Sequence, residues 1–461
     1  VQQMLPMIGV DMLNQIAGQL VTDENLIISF QAPEDSAVVL PTEAEAIQFL
    51  AEVKNQEIEA PVEETIREKL VETAPKPGKI KHTQYDEHLG TTEWTLSNGV
   101  RVVVKPTTFK QDEILFQGMS LGGASQVDTE NLPSSMLAST IVDFSGLADM
   151  SMTDLQKALT GKNVSHSASI NNNTETVSGS STVKDLETLL QLNYLAFTAP
   201  RRDEEAFQTL MSILQSQLAN KDKNPKAVFS DSIQMMATNN SSRTVLENMT
   251  LVERVNLDKA LEIYKARFAN PADFVFTFVG NVDPQDETFK QLICTWLGGM
   301  KTSKKREQVI NHNVRAPQGI CKNYFTRNME TKTASNRIQY TSYEMPYTLA
   351  NALNMEVIGR ILSTRYLESI REREGGSYGV GCAGMMDILP TPCARLIMQF
   401  DTDPEKQQKL INIIHEEVNT ILENGPLAND LQKEKESMIK DFQEDLEKNG
   451  YWQTALYMYY L

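Results

Sequence analysis

The sequence predicts an α+β fold in which two similar domains each carry a mostly antiparallel sheet backed by helices. Strand-like segments alternate with amphipathic helices along most of the chain, a mixture that is typical of layered α+β architecture. A pair of helices around Pro200 is repeated around Pro426, after a similar series of elements. A repeat of that length indicates duplicated domains rather than a solenoid.

Composition indicates an ordinary globular protein. Of its 461 residues, 41% are hydrophobic and 23% are charged, and the formal net charge is −18. That length favours two or three domains. The acidic excess argues against nucleic acid as the main partner, because phosphate binding needs a basic surface. The strongest apolar run, FVFTFVG, is strand-sized, so we expect no membrane span.

Both ends of the sequence suggest a piece of a longer protein. Residues 1–35 hold a helix-like segment and the strand-like NLIISFQAPED, and we interpret them as the end of a preceding domain. The chain starts at Val1, which is not an initiator Met, so we expect residues before it and infer no targeting from this end. It stops in the apolar YWQTALYMYYL, which we expect to pack against something further along.

Residues 36–90 are interpreted as a linker with helical content. Thr42 and Glu45 match a capping box at the start of one helix. Pro61 suits the first turn of a second helix. The cluster APKPGK interrupts helical structure, so residues 74–90 are predicted to form an extended polar connector.

The first complete domain is predicted over residues 91–305. It opens with EWTLSNGVRVVVKP, a hairpin signal because Asn98 and Gly99 both tolerate positive φ. A strand, a helix that ends near Gly146, a polar alternating hairpin and the first helix pair follow. The strand FVFTFVG and a last helix complete the domain.

The second domain is predicted over residues 306–461 and is truncated at its C-terminus. The segment RIQYTSYEMP predicts a strand, and a long helix follows it. SYGVGCAGMMD and CARLIMQFDTD predict two more strands, and two helices are separated by Gly425 and Pro426.

The residue types that usually carry hydrolytic chemistry are scattered. There is no HExxH or HxxEH motif and no pair of histidines four residues apart, so we predict no metal site in this chain. No serine lies in GxSxG, and no CxxC pair occurs. The histidines are His82, His88, His166, His312 and His415, and the cysteines are Cys294, Cys321, Cys382 and Cys393.

One stretch, ESIREREGGSYGVGC, leaves two interpretations open. Arg371 falls in the last turn of a predicted helix, where a cation suits the helix dipole, and Gly375 and Gly376 would end that helix. Tyr378 would then begin a strand. On these residues alone a capped helix end is favoured, and a pair of side chains that faces a substrate is the alternative.

Four segments together resemble the pitrilysin/insulinase family of zinc peptidases. They are LSNGVRVVVKP with SLGGAS, FTFVGNVDP before a helix that ends in WLGG, and LSTRYLESIREREGGSYGVG. They occur in the family's order from about residue 91 to the end of the chain. The resemblance implies an enzyme of two halves, each built from two such domains, with an inverted zinc motif, HxxEH, in the first half only.

The resemblance also implies which half this chain is. The five positions that would carry HxxEH hold no metal ligand and no general base, which indicates the C-terminal, non-metal half. Its partners would be the N-terminal half, which would bind zinc, and peptide substrates. If the parent protein is bacterial, the resemblance implies a location in the periplasm or at the cell envelope. The five positions are Leu137, Ala138, Ser139, Thr140 and Ile141.

Arg371 and Tyr378 match the Arg and Tyr that the family's second half contributes to the zinc site of the first. When zinc-bound water attacks a peptide carbonyl, a phenol donor can stabilise the oxyanion. An Arg can hold a substrate carbonyl or carboxylate nearby. Leu367, one turn before Arg371, would line the same wall, although simple core packing is the more economical interpretation.

The resulting hypothesis is a zinc-dependent endopeptidase that encloses and cleaves unfolded peptides. This chain would supply the substrate-binding wall, and by itself it would neither bind zinc nor cleave peptides. A non-catalytic scaffold or binding subunit of the same fold is the alternative. An unrelated α+β binding domain is a third, which two similar helix-backed sheets would eliminate.

Overall fold

A computed structural model describes residues 4–20, 26–32, 39–57 and 69–461, apart from residues 373, 376 and 378. The chain divides into two compact units, Val1–Thr65 and Ile66–Leu461. Each unit is described by itself. No helix among the described residues combines the length and apolar composition that crossing a bilayer requires.

The described residues of the first unit include two α-helices, α1 (Val10–Leu20) and α2 (Glu43–Lys54). The predicted capping box is present at the start of α2. The Thr42 hydroxyl accepts from the backbone N–H of Glu45, and the Glu45 carboxylate accepts from the backbone N–H of Thr42 at 2.8 Å. This satisfies two backbone donors that the first turn of a helix leaves free.

Two predictions for this region are not confirmed. Residues 26–32 were expected to form a strand, but no described residue pairs with them and they are irregular. An alternating pattern alone does not make a strand, because a strand requires a neighbouring ladder to satisfy its backbone groups. The second linker helix, expected from Pro61, lies outside the described residues.

The second unit holds two lobes, and the first lobe is built on a seven-stranded sheet in the order β1-β2-β3-β7-β4-β6-β5. All neighbours are antiparallel except β3 and β7. The strands are β1 (Ile80–Asp86), β2 (Thr91–Leu96), β3 (Arg101–Pro106), β4 (Ile114–Leu121), β5 (Val164–Ile170), β6 (Thr174–Ser181) and β7 (Val275–Gly280). The helices are α3 (Leu132–Ser145), α4 (Met152–Ala158), α5 (Leu186–Thr198), α6 (Glu204–Leu218), α7 (Pro225–Ala237), α8 (Met249–Arg254), α9 (Leu257–Arg267) and α10 (Glu287–Trp296).

Strand β1 corrects the expected domain boundary at residue 91. It lies within the stretch that was interpreted as a connector, yet it pairs with β2 along its whole length, from Ile80 to Asp86. Its five central side chains are all exposed, so it lacks the apolar alternation that marks a half-buried strand. An edge strand with solvent on both faces carries little hydrophobic signal.

The core of the first lobe lies between the sheet and its helices. The predicted β2–β3 hairpin is present, with Gly99 at φ +87°. Strand β7 is buried along its whole length between β3 and β4, which explains why its sequence is a continuous apolar run. On its inner face the rings of Phe116 and Phe278 have centroids 5.1 Å apart. Burial of such a ring contributes ~1.5–3 kcal/mol.

The second lobe repeats the central part of the first. A strand, a helix, a hairpin and two helices follow one another in both lobes, and the strand order β8-β10-β9 matches β4-β6-β5. The α+β fold and the duplication predicted from the helix pairs are therefore present. The elements are β8 (Ala334–Ser342), α11 (Leu349–Tyr366), β9 (Gly381–Asp387), β10 (Cys393–Thr402), α12 (Gln407–Asn424) and α13 (Ala428–Asp445).

Helix α11 lies directly on strand β9 because each element has a glycine where they cross. A Cβ added to Gly384 would overlap the carbonyl oxygen of Met355, and one added to Gly359 would overlap the backbone of Gly384. One turn along, the Ser363 hydroxyl donates to the Cys382 carbonyl at 3.2 Å and accepts from its N–H at 3.1 Å. The helix is thus fixed to the strand by backbone contact.

The last helix, α14 (Asn449–Tyr460), packs on the outer face of the first-lobe sheet. Leu456 is fully buried against Val103 and Val279, and Asn449 donates to Glu113 at 2.8 Å. The apolar C-terminal stretch, expected to pack further along the chain, therefore packs on the first lobe. Helix α7 of the first lobe reaches the second in return, where Lys226 lies 3.6 Å from Asp401.

Gly384→Ala is expected to destabilise the protein by at least ~1–3 kcal/mol, because the added methyl group must displace the α11 backbone. Chemical denaturation would measure the loss. Gly450→Ala is the matched control, since its Cβ would meet open space in helix α14. Equal stability of the two variants would contradict the glycine contact.

Leu456→Ala is expected to lower the free energy of unfolding by ~2–5 kcal/mol, because it opens a cavity between α14 and the first-lobe sheet. The same denaturation assay applies. Met458→Ala, at a position that is 39% exposed on the same helix, should change stability by less than ~0.5 kcal/mol. Similar losses at both positions would argue against the packing of α14 described above.

Candidate functional site

The candidate site begins where helix α11 ends. Leu367–Glu372 form a π-helical turn, a geometry that often marks functional positions. Ser369 and Ile370 point into the core of the second lobe, while Arg371 is exposed and Leu367 is 39% exposed. The expectation that Leu367 is a simple core residue does not hold, because about two fifths of the residue is exposed to solvent.

The segment after this turn is tied to the end of β10 and the start of α12. Gly375 adopts φ +52°, the left-handed conformation that ends a helix, and its carbonyl accepts from Lys406 at 3.2 Å. Glu374 pairs with Lys409 at 2.5 Å. The Ser377 hydroxyl donates to the carbonyl of Asp401 at 2.7 Å. Gly376 and Tyr378 lie outside the described residues.

An open cleft of about 480 Å³ lies beside Arg371. Within the part of the chain that the structure describes, no acceptor pairs with the Arg371 guanidinium, although two aspartates share the cleft. The carboxylate of Asp401 is engaged with Lys226 of α7. The cleft therefore presents a guanidinium group that pairs with no described acceptor, beside polar walls. It is lined by Lys332, Thr333, Arg371, Gly375, Ser377, Asp401, Thr402 and Asp403.

Helix α3 occupies the position of the zinc-binding helix in the predicted resemblance, and its residues do not fit a metal. Leu137, Ala138 and Ile141 are buried in the hydrophobic core of the first lobe. Ser139 and Thr140 stand between them and offer only neutral hydroxyls. Among the described residues, no group of three or more histidine, cysteine, aspartate or glutamate side chains could hold a metal ion.

Three of the five histidines make separate structural contacts. His166 lies on β5 with its Nε2 3.3 Å from the Asn193 side-chain oxygen, and burial lowers its pKa to about 4. His312 donates to the carbonyl of Ser125 at 2.7 Å, since that oxygen can only accept. His415 contacts the hydroxyl of Tyr340 at 2.7 Å.

Comparison with known families shows what part of this chain is similar to. Residues 254–438 match the family model described as the peptidase M16 inactive domain. This match, together with the relatives described next, confirms the predicted resemblance to zinc metallopeptidases.

Curated relatives of this chain are zinc proteases by name. The Arabidopsis thaliana protein named zinc protease PQQL-like is 26% identical over 465 residues, which cover 97% of this chain and 46% of that protein. The Escherichia coli protein named probable zinc protease PqqL is 22% identical over 79% of this chain and 38% of its own length. The chain thus spans less than half of these relatives.

Solved structures show the same fold. The periplasmic protease PqqL from Escherichia coli superposes with a TM-score of 0.73 at 20% identity, over 89% of this chain and 45% of that one. A mutant of the ferredoxin protease FusC, solved with Arabidopsis ferredoxin, gives 0.70 at 18% identity over 89% and 44%. The first half of PqqL gives 0.56 at 14% identity over 81% and 79%.

Sequence reasoning found Arg371 but missed the walls of its cleft. Asp401 and Asp403 come from the end of β10, and Lys332 and Thr333 come from the segment before β8. No local motif marks these residues. They meet only because β8 and β10 pair, with Ala334 opposite Thr402 in the register.

His166 makes stability depend on pH. The unfolded chain takes up this proton near pH 6.5 and the folded chain only near 4, so stability should fall as pH decreases between these values. His166→Gln should reduce that slope by up to ~1.4 kcal/mol per pH unit, measured by urea unfolding. His82→Gln, at an exposed position of β1, is the control. An unchanged slope in His166→Gln would refute the assignment.

Proposed function

We propose that this chain is the C-terminal, non-metal half of a zinc-dependent endopeptidase that encloses and cleaves unfolded peptides. The observation that carries the proposal is the exposed Arg371 beside an open cleft, in a chain that resembles a peptidase family. Because helix α3 does not fit zinc, the hydrolytic centre is assigned to the other half of the protein. This chain closes over the peptide and helps to orient it.

Arg371 is proposed to hold a carbonyl or carboxylate oxygen of the peptide. Its guanidinium presents several N–H donors in a planar fork, and no described residue accepts from them. The tethers from Lys406 to Gly375 and from Ser377 to Asp401 hold the adjoining segment in place. A donor that is held before the substrate arrives loses less free energy when it binds.

Tyr378 is proposed to donate its phenolic hydrogen to the oxygen that becomes negative during peptide cleavage. It follows Ser377 directly in the sequence. The exposed Leu367 would contact an apolar side chain of the peptide. A polypeptide partner suits this fold, since FusC was solved with ferredoxin.

A non-catalytic scaffold of the same fold is the second candidate. The observation in its favour is that the described residues include no group that could hold a metal ion. The two candidates differ in one measurement. The full-length protein either cleaves an unfolded peptide or binds it without cleavage.

The test uses the full-length protein and an internally quenched unfolded peptide. Tyr378→Phe should lower kcat by about 10²–10³-fold with little change in KM, because the phenol donor acts on charge that develops in the transition state. Arg371→Gln should raise KM as well as lower kcat. Arg254→Gln, an exposed arginine on α8, is the matched control with the same loss of charge.

Three results would count against the proposal. An unchanged kcat in Tyr378→Phe removes its transition-state role. Normal kinetics in Arg371→Gln removes its substrate contact. Binding of the peptide without cleavage by the wild-type full-length protein favours the scaffold. The present chain alone is expected to bind no zinc and to cleave nothing.

A further inference from the structure

The outer face of the second-lobe sheet carries an unexplained group of arginines. Residues of β10 alternate between the core, which receives Leu396 and Met398, and the opposite face, which receives Arg395 and Gln399. Arg337 on β8 lies opposite Gln399 in the register and shares that face. Arg315, from the segment that joins the lobes, lies over the ring of Tyr343, the residue that follows β8. We call Arg315, Arg337 and Arg395 the arginine platform.

Arg337 is held entirely by neutral acceptors. Its Nη1 donates to the side-chain oxygen of Gln399 at 3.3 Å, and its Nη2 donates to that of Gln339 at 3.0 Å. The Gln339 amide is oriented by its own bond to the Thr341 hydroxyl, at 3.0 Å. The guanidinium is therefore fixed in place while its positive charge is left without a counter-ion in the described chain.

The rest of the platform leaves an excess of positive charge. Arg395 pairs with Asp387 at 2.6 Å, and this is the one carboxylate that pairs with a platform arginine among the described residues. The Arg315 guanidinium lies 4.7 Å from the centre of the Tyr343 ring, a contact that leaves its charge in place. Among the described residues only Arg395 of the three is therefore in an ion pair, and burial together with the charge of Arg395 lowers the pKa of Arg337.

Each platform arginine also has a donor that nothing accepts. The Nε atoms of Arg315, Arg337 and Arg395 are shielded from solvent, and no described group hydrogen-bonds to them. A shielded donor without an acceptor costs ~1–3 kcal/mol, and more when the group is charged. A bound oxyanion would supply the missing negative charge beside these guanidinium groups, and the planar fork of arginine matches an oxyanion best.

The platform is open to ligands from the side of β9. The outward residues of that strand, Gly381, Ala383 and Met385, are exposed, and so is Gln399 on β10. This edge of the sheet face is therefore accessible to solvent. Helix α7 contacts the opposite edge of the sheet, at strand β8.

We propose that Arg337 and Arg395, assisted by Arg315, bind an oxyanion, and that the carboxylate of a bound polypeptide is its source. The platform lies beside the Arg371 cleft, because Asp401 lines that cleft and follows Gln399 by two residues on the same face of β10. Two residues of a strand span about 7 Å. A peptide in the cleft therefore passes near Arg337, the platform arginine that pairs in register with Gln399. The peptide source rests on the proposed function, whereas the oxyanion site does not.

The oxyanion site is tested on the present chain, without any cleavage assay. Sulfate is titrated at low ionic strength by calorimetry into the wild type, Arg337→Gln, Arg395→Gln and the control Arg254→Gln. Each platform variant should bind sulfate about tenfold more weakly or worse, the factor that follows from one lost charge-assisted hydrogen bond. The control should match the wild type.

Thermal unfolding separates loss of the site from loss of the fold. Without sulfate, Arg337→Gln should unfold at the same temperature as the wild type or higher, since the substitution removes a repulsive charge. Sulfate should raise the midpoint of the wild type and the control but not that of Arg337→Gln. Equal stabilisation of all variants would reveal a general salt effect and overturn the site.

The source of the oxyanion is decided by competition. An unfolded peptide with a free C-terminal carboxylate should displace sulfate from the wild type, and the same peptide with a C-terminal amide should not. If neither peptide competes, the polypeptide source is overturned and a free inorganic oxyanion remains. The kinetic test of Tyr378→Phe leaves these results unaffected, so failure of the proposed function and failure of the platform are distinguishable.

Discussion

The contact between Gly359 and Gly384 determines where the candidate site can be. Because helix and strand touch through their backbones, α11 has no freedom to rotate or slide on β9, and its last turn points in one direction. Arg371 and Leu367 belong to the π-helical turn that continues this helix. The position of the site therefore depends on two glycines, whose lack of a side chain lets the helix and the strand touch, and neither glycine takes part in the site itself.

The two lobes are joined by exchange of helices. Each sheet receives a helix from the other lobe, α14 on the first and α7 on the second, yet the two contacts differ in chemistry. Leu456 enters an apolar patch, whereas α7 has no fully buried residue and meets a polar sheet face through Lys226. The outer face of the first sheet is covered by apolar packing against α14, which joins the two lobes. The second keeps its outer face polar and partly open, and both the Arg371 cleft and the arginine platform are there.

Local signals in the sequence were sufficient for much of the fold. The turn at Gly99 and the cap at Thr42 depend on a few neighbouring residues, so both could be predicted from the local sequence. Strand β1 was missed because its exposed side chains hide the alternation. Arg371 was identified through family resemblance, but Asp401 was not, since its place in the cleft is fixed by strand pairing over a long sequence separation.

The packing of α14 has a consequence for how the chain is made. The outer face of the first-lobe sheet carries Val103 and Val279, and the helix that buries them is encoded at residues 449–460, after the whole second lobe. During synthesis this apolar surface stays uncovered until residues 449–460 emerge. Contacts between such distant parts of a chain form slowly. The first lobe therefore exposes an apolar face while the second lobe is being made, the situation in which chaperones bind nascent chains.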